Sequence, residues 1–108
     1  MTSQATSILI NNALVHIRAQ ELDKANELLV KAKTLDNGNS DVLRLLSVVA
    51  AMKFDYVRAL ELIDNVISLS PDNAIAHSNR GNILKELSRF EDALVSLDNA
   101  IELQPAYA

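Results

Sequence analysis

The chain has 108 residues, a net charge of −4 and an apolar fraction of 49% with only 4% aromatics. That length holds one domain, and an acidic balance with both signs interspersed lacks the basic stripe that a nucleic-acid footprint needs. There is no cysteine, which removes disulfide frameworks and thiolate zinc sites and fits the cytoplasm. No apolar run reaches the roughly 18 residues of a membrane span, and the N-terminus lacks the positive region of a secretory signal.

Along the chain the same pattern returns every 34 residues without gaps. The units run 6–39, 40–73 and 74–107. In the first, Ala13, Ala25, Leu29, Ala32 and Leu35 set the pattern, and "DNGN" at 36–39 ends it, with Gly38 suited to a left-handed residue after a helix. The second repeats it as Ser47, Ala59, Ile63, Val66 and Leu69, then stops at "SPDN", residues 70–73, where proline ends a helix and Asp and Asn favour a turn. The third carries Gly81, Ala93, Leu97, Ala100 and Leu103, closing at Pro105. Apolar residues at helical spacing predict two helices per unit, placed in the third over roughly 74–87 and 91–103. "SRFE" between them reads as a capping box, with Ser88 as the cap and Glu91 reaching back. The fold class is therefore all-α, six antiparallel helices in a single domain.

Gly81 sits inside "NRGNILKEL", where glycine costs a helix about 1 kcal/mol relative to alanine. Closer packing offsets that cost if two helices cross there. The third unit reads His77-x2-Arg80-Gly81-x2-Leu84, then Ala93-x3-Leu97, Ala100 and Pro105. This resembles the tetratricopeptide repeat, whose 34-residue pattern is W-x2-L-G-x2-Y, A-x3-F, A and P. The likeness covers essentially the whole chain. It is weaker in the first unit, where Ala13 replaces glycine and Asn37 replaces proline, and the tryptophan position holds His77, Leu43 or Leu9. The resemblance implies three helix-turn-helix hairpins stacked as a right-handed superhelical solenoid, with Gly81 facing Ala93 and the packing of Leu84, Leu94 and Leu97 depending on that close approach.

Residues suited to chemistry are sparse. His16 and His77 occupy large pattern positions and read as packing residues. Asp23, Glu27, Glu91 and Asp92 lie near helix starts, where carboxylates favour the dipole, and Glu27 with Lys31 is an i,i+4 pair. No glycine-rich phosphate loop, histidine-activated serine or metal-ligand spacing occurs, so the expectation is a non-enzyme without cofactors.

The resemblance instead implies binding of a protein or peptide along the concave wall formed by the first helix of each hairpin. The candidate contacts are Ile10, Asn11, Leu14 and Ile17 in the first unit, Arg44, Leu45, Val48 and Met52 in the second, and Asn79, Asn82 and Lys85 in the third. Positions that grip a peptide's terminal carboxylate in some family members correspond to Ile10, Leu14, Leu45, Ile75 and Asn79, so that clamp is missing. Two modes remain. One is a hydrophobic groove for a partner helix, built on Ile10, Leu14, Ile17, Leu45, Val48 and Met52. The other is an asparagine ladder on an extended peptide backbone, using Asn11, Asn79 and Asn82, since an amide both donates and accepts. The wording of the third repeat is similar to repeats of bacterial proteins resembling O-linked N-acetylglucosamine transferase, which makes the substrate-recognition part of a transferase one alternative and a structural self-association module another. Leu94, Leu97 and Ile101 would face a following hairpin. The expectation is either a piece of a longer array or a homo-oligomer formed through an uncapped last helix.

Overall fold

In the computed structural model, which describes residues 3–104, six helices alternate with short turns: α1 (Gln4–Arg18), α2 (Leu22–Leu35), α3 (Ser40–Met52), α4 (Tyr56–Leu69), α5 (Ala74–Glu86) and α6 (Phe90–Leu103). They pair as hairpins α1/α2, α3/α4 and α5/α6, and the hairpins stack through α2 on α3 and α4 on α5.

The helix ends follow from local chemistry. Asn39 and Asn73 cap α3 and α5, their side-chain oxygens accepting from the backbone N–H of Val42 (3.2 Å) and Ala76 (3.1 Å). In the first hairpin the equivalent residue, Ala5, has no acceptor, and α1 starts earlier, behind Ser3, which accepts from Thr6 N–H at 3.1 Å.

The three turns inside the hairpins are alike. Gln20, Phe54 and Ser88 adopt φ of 63°, 65° and 62°. Ser88 N–H donates to Lys85 C=O (3.0 Å) and Arg89 N–H to Leu84 C=O (2.9 Å), with matching pairs in the other two turns. These are Schellman closures, which want a left-handed residue and usually place glycine there. The capping-box reading of "SRFE" is corrected accordingly. Ser88 closes α5 rather than opening α6, which begins at Phe90 behind Arg89 with no side-chain cap. Gly38 does take the left-handed conformation, with φ 88°.

Gly81 lies where α5 crosses α6. A Cβ built on it would stand 2.7 Å from Cγ and Cδ2 of Leu97 and 3.2 Å from the carbonyl oxygen of Ala93. At the same crossing in the second hairpin, buried Ser47 donates its hydroxyl to Ala59 C=O at 2.8 Å. Leu94, expected to depend on this crossing, instead faces solvent.

The core runs along the stack through Leu29, Val42, Leu46, Val49, Ile63 and Val66. α3, sandwiched between hairpins, is buried on most sides. Arg80 ties three helices together, donating from Nε to Asp64 of α4 and from Nη1 to buried Ser96 of α6, both at 2.7 Å. Lys53 reaches back to Asp23 at the start of α2, 2.6 Å away. The i,i+4 pair Glu27–Lys31 is not made. The histidines bond at turns rather than simply packing: His77 Nε2 lies 2.8 Å from Pro71 C=O, and His16 Nδ1 lies 3.2 Å from Glu21.

Candidate binding cleft

α3 and α5, the first helices of successive hairpins, touch along one side of the stack. Between them opens a cleft of about 380 Å³. Val48, Ala51 and Met52 of α3 supply an apolar wall, continued by Tyr56 at the start of α4 and by Ile83. Asn79, Asn82, Lys85 and Glu86 of α5 supply the polar wall. The spacing explains the division: 48, 51, 52 and 79, 82, 83, 86 are i, i+3, i+4 and i+7 sets, so each helix turns a single stripe toward the opening.

Among the described residues, neither the Asn79 nor the Asn82 amide hydrogen-bonds within the protein, and Lys85 has no ion pair. Both amides therefore keep donors and acceptors for a ligand. Ser47, at the cleft floor, is already committed to Ala59.

Five of the residues expected from the sequence meet in this cleft: Val48, Met52, Asn79, Asn82 and Lys85. Leu45 does not. It is 5% exposed and belongs to the core, because its side of α3 is covered by the neighbouring hairpins. Ile10, Leu14 and Ile17 are half-buried and pack against the core edge, Asn11 is exposed, and Arg44 is half-buried. None of these five lines the cleft.

Sequence reasoning missed Tyr56, Ser47 and Ile83. Tyr56 sits on a second helix, outside the set of first-helix positions. A signal was present, since helix α4 starts directly after the α3 turn and its first residue must lie beside the C-terminal end of α3. Phe54, in the left-handed turn position and 78% exposed, packs edge-on to Tyr56 with ring centroids 6.3 Å apart.

The perturbed carboxylate lies elsewhere: a hydrogen bond from Lys53, and then the Lys53 charge, hold Asp23 below its ordinary value of 3.8. Among the described residues no group of three or more His, Asp or Glu is placed to hold a metal ion, and no helix is long and apolar enough to cross a membrane.

A family model described as the tetratricopeptide repeat matches residues 74–107. The chain is 43% identical over 54 residues to the STIP1 homolog of Dictyostelium discoideum, covering 50% of this chain and 10% of that protein. It thus spans about a tenth of that relative's length. Among solved structures, an O-GlcNAc transferase mutant from Thermobaculum terrenum superposes with a TM-score of 0.92 at 26% identity, over 99% of this chain and 21% of that one. The first repeat domain of Spaghetti (RPAP3), bound to the HSP90 peptide SRMEEVD, superposes with a TM-score of 0.91 at 19% identity, over 95% of this chain and 82% of that one. Six helices in this order and these superpositions show an all-α superhelix with the fold of tetratricopeptide-repeat domains.

Proposed function

We propose that this chain, built of tetratricopeptide repeats, is a non-catalytic module that binds a protein or peptide segment in the cleft between α3 and α5. The observation that carries the reading is the cleft's composition: an apolar wall of Val48, Met52 and Tyr56 facing two uncommitted amides, Asn79 and Asn82. The apolar wall takes a bulky side chain of the ligand, and the amides take its backbone. Structural relatives include domains holding an HSP90 peptide. Here the positions that would grip that peptide's terminal carboxylate are Ile10, Leu14, Leu45 and Ile75, with Asn79 the only polar one. An acidic tail finds no cation there, so the ligand is one with an apolar anchor instead.

A peptide array with varied anchor residues, probed with the purified chain, tests this. Uncharged peptides with a leucine, methionine or aromatic anchor are retained more strongly than SRMEEVD, whose methionine is followed by an acidic tail, and Met52→Lys loses the retained set with its helical circular dichroism unchanged. Retention of SRMEEVD above the apolar set, or equal binding by Met52→Lys, overturns the reading.

A second reading is favoured by the 26% identity that runs over nearly the whole chain to the Thermobaculum terrenum enzyme. The chain would then be the substrate-recognising part of a transferase, taking extended peptides through Asn11, Asn79 and Asn82. Replacing Asn79 and Asn82 by alanine would then abolish binding of peptides of any sequence, whereas an anchor-driven cleft loses only part of its affinity.

A further inference from the structure

The two ends of the stack carry matching halves of one interface. In the first hairpin Ile8 and Val15, seven residues apart on α1, are 53% and 57% exposed. Their counterparts in the second hairpin, Val42 and Val49, are 0% and 1% exposed, and those in the third, Ala76 and Ile83, are also buried. All three helices have their own hairpin partner. What α3 and α5 have and α1 lacks among the described residues is a preceding hairpin, so that hairpin is what covers these positions. The other end mirrors this. Leu94 and Ile101, again seven apart, are 62% and 51% exposed on α6, while their counterparts on α4, Leu60 and Ile67, pack against the core beneath α5. Phe90 is exposed where Tyr56 is half-buried.

We infer that a second copy of this chain docks its α1 onto α6, head to tail, through Ile8 and Val15 against Leu94 and Ile101. The surface is that of the stack's ends, separate from the cleft. The internal junctions α2/α3 and α4/α5 are the template, and the docked α1 continues them in the same 34-residue register. The polar groups agree with that register. Arg80 of α5 binds Asp64 of α4 at the internal junction. The counterpart of Asp64 is Asp98 and the counterpart of Arg80 in the first hairpin is Asn12, both exposed. An amide of Asn12 from the second copy donates to the Asp98 carboxylate, so no pair of like charges meets there. Exposed apolar faces of this kind mark interaction sites. Because the two halves differ, the contact is heterologous, and because it continues the solenoid register it adds copies one after another instead of pairing two copies symmetrically.

Light scattering and sedimentation of the full chain from low to high micromolar concentration test this. The weight-average mass rises with concentration. Two doubly substituted chains then separate the ends: Ile8→Glu with Val15→Glu on the head, and Leu94→Glu with Ile101→Glu on the tail. All four positions are exposed, and circular dichroism confirms that each variant keeps its helices. Each variant alone is monomeric, because neither solution contains both a working head and a working tail. Mixed in equal amounts they form a dimer and nothing larger. A wild-type chain that stays monomeric throughout overturns the proposal. So does self-association retained by the head variant, which would mean tail-to-tail pairing, and so does a mixture of the two variants that stays monomeric.

Discussion

Replacing Gly81 tests the close crossing of α5 and α6. A methyl group there lands 2.7 Å from Leu97 Cγ and Cδ2, closer than real Cβ contacts come, and 3.2 Å from the Ala93 carbonyl. The first obstacle can yield: Leu97 is half-buried on a helix whose outer side is open, so it can swing away. The second is backbone, and relieving it requires the helices to separate by a few tenths of an ångström. Against these costs stands the gain of about 1 kcal/mol when glycine leaves a helix interior. Gly81→Ala is therefore expected within about 1 kcal/mol of wild type. That agrees with Ala13 at the same place in the first hairpin, where Leu29 holds the position of Leu97 and both Ala13 and Leu29 are fully buried. Gly81→Leu keeps most of the propensity gain but adds three more carbons against the Ala93 carbonyl. Its net loss is on the order of 1–3 kcal/mol. Urea unfolding followed by circular dichroism reads the total, and amide hydrogen exchange locates it, since a stacked array loses stability where the damage is. Protection falls in α5 and α6 and persists in α1 and α2. A Gly81→Leu chain with the wild-type midpoint, or with its loss spread evenly over all helices, refutes the close-crossing argument.

Ser88→Gly removes a non-glycine residue from a left-handed turn without breaking a side-chain hydrogen bond, and is expected to raise stability by about 0.5–1 kcal/mol, read as a higher urea midpoint. An unchanged or lower midpoint would mean the strain at φ 62° is negligible. The Asp23–Lys53 contact predicts a pH dependence with a definite sign. Lys53 lowers the native carboxyl below 3.8, so its contribution is present above that value and is lost as the pH falls through the lowered one. In Lys53→Met the Asp23 carboxyl carbon, followed by NMR, titrates closer to 3.8; a titration identical to wild type removes the contact as the cause.

Much of this protein was legible in the residue order because the relevant forces are local. Helical spacing of apolar residues and the turn residues at 36–39 and 70–73 place the helices, and the structure finds in the last residue of each turn, Asn39 and Asn73, the cap of the helix that follows. The small residues Ala13, Ser47 and Gly81 mark where the helices cross, since only a small residue allows that approach. Half the cleft followed too, because Val48, Met52, Asn79, Asn82 and Lys85 share the open stripes of α3 and α5.

The tertiary structure decided how much of each stripe stays open. A helix's period says which residues share a face but not how far a neighbouring hairpin rolls over it. Leu45 and Val48 are one turn apart on α3, yet the stacking angle buries the first and leaves the second at the cleft. The same angle brings Tyr56 from a second helix to the cleft wall. At the turns, Ser88 could serve as a helix cap or as a left-handed closure, and the bonds back to Lys85 and Leu84, made as α5 ends, select the closure. Leu94 and Leu60 hold equivalent positions in equivalent helices and differ in exposure for one reason: α5 lies over one of them, and none of the described helices lies over the other.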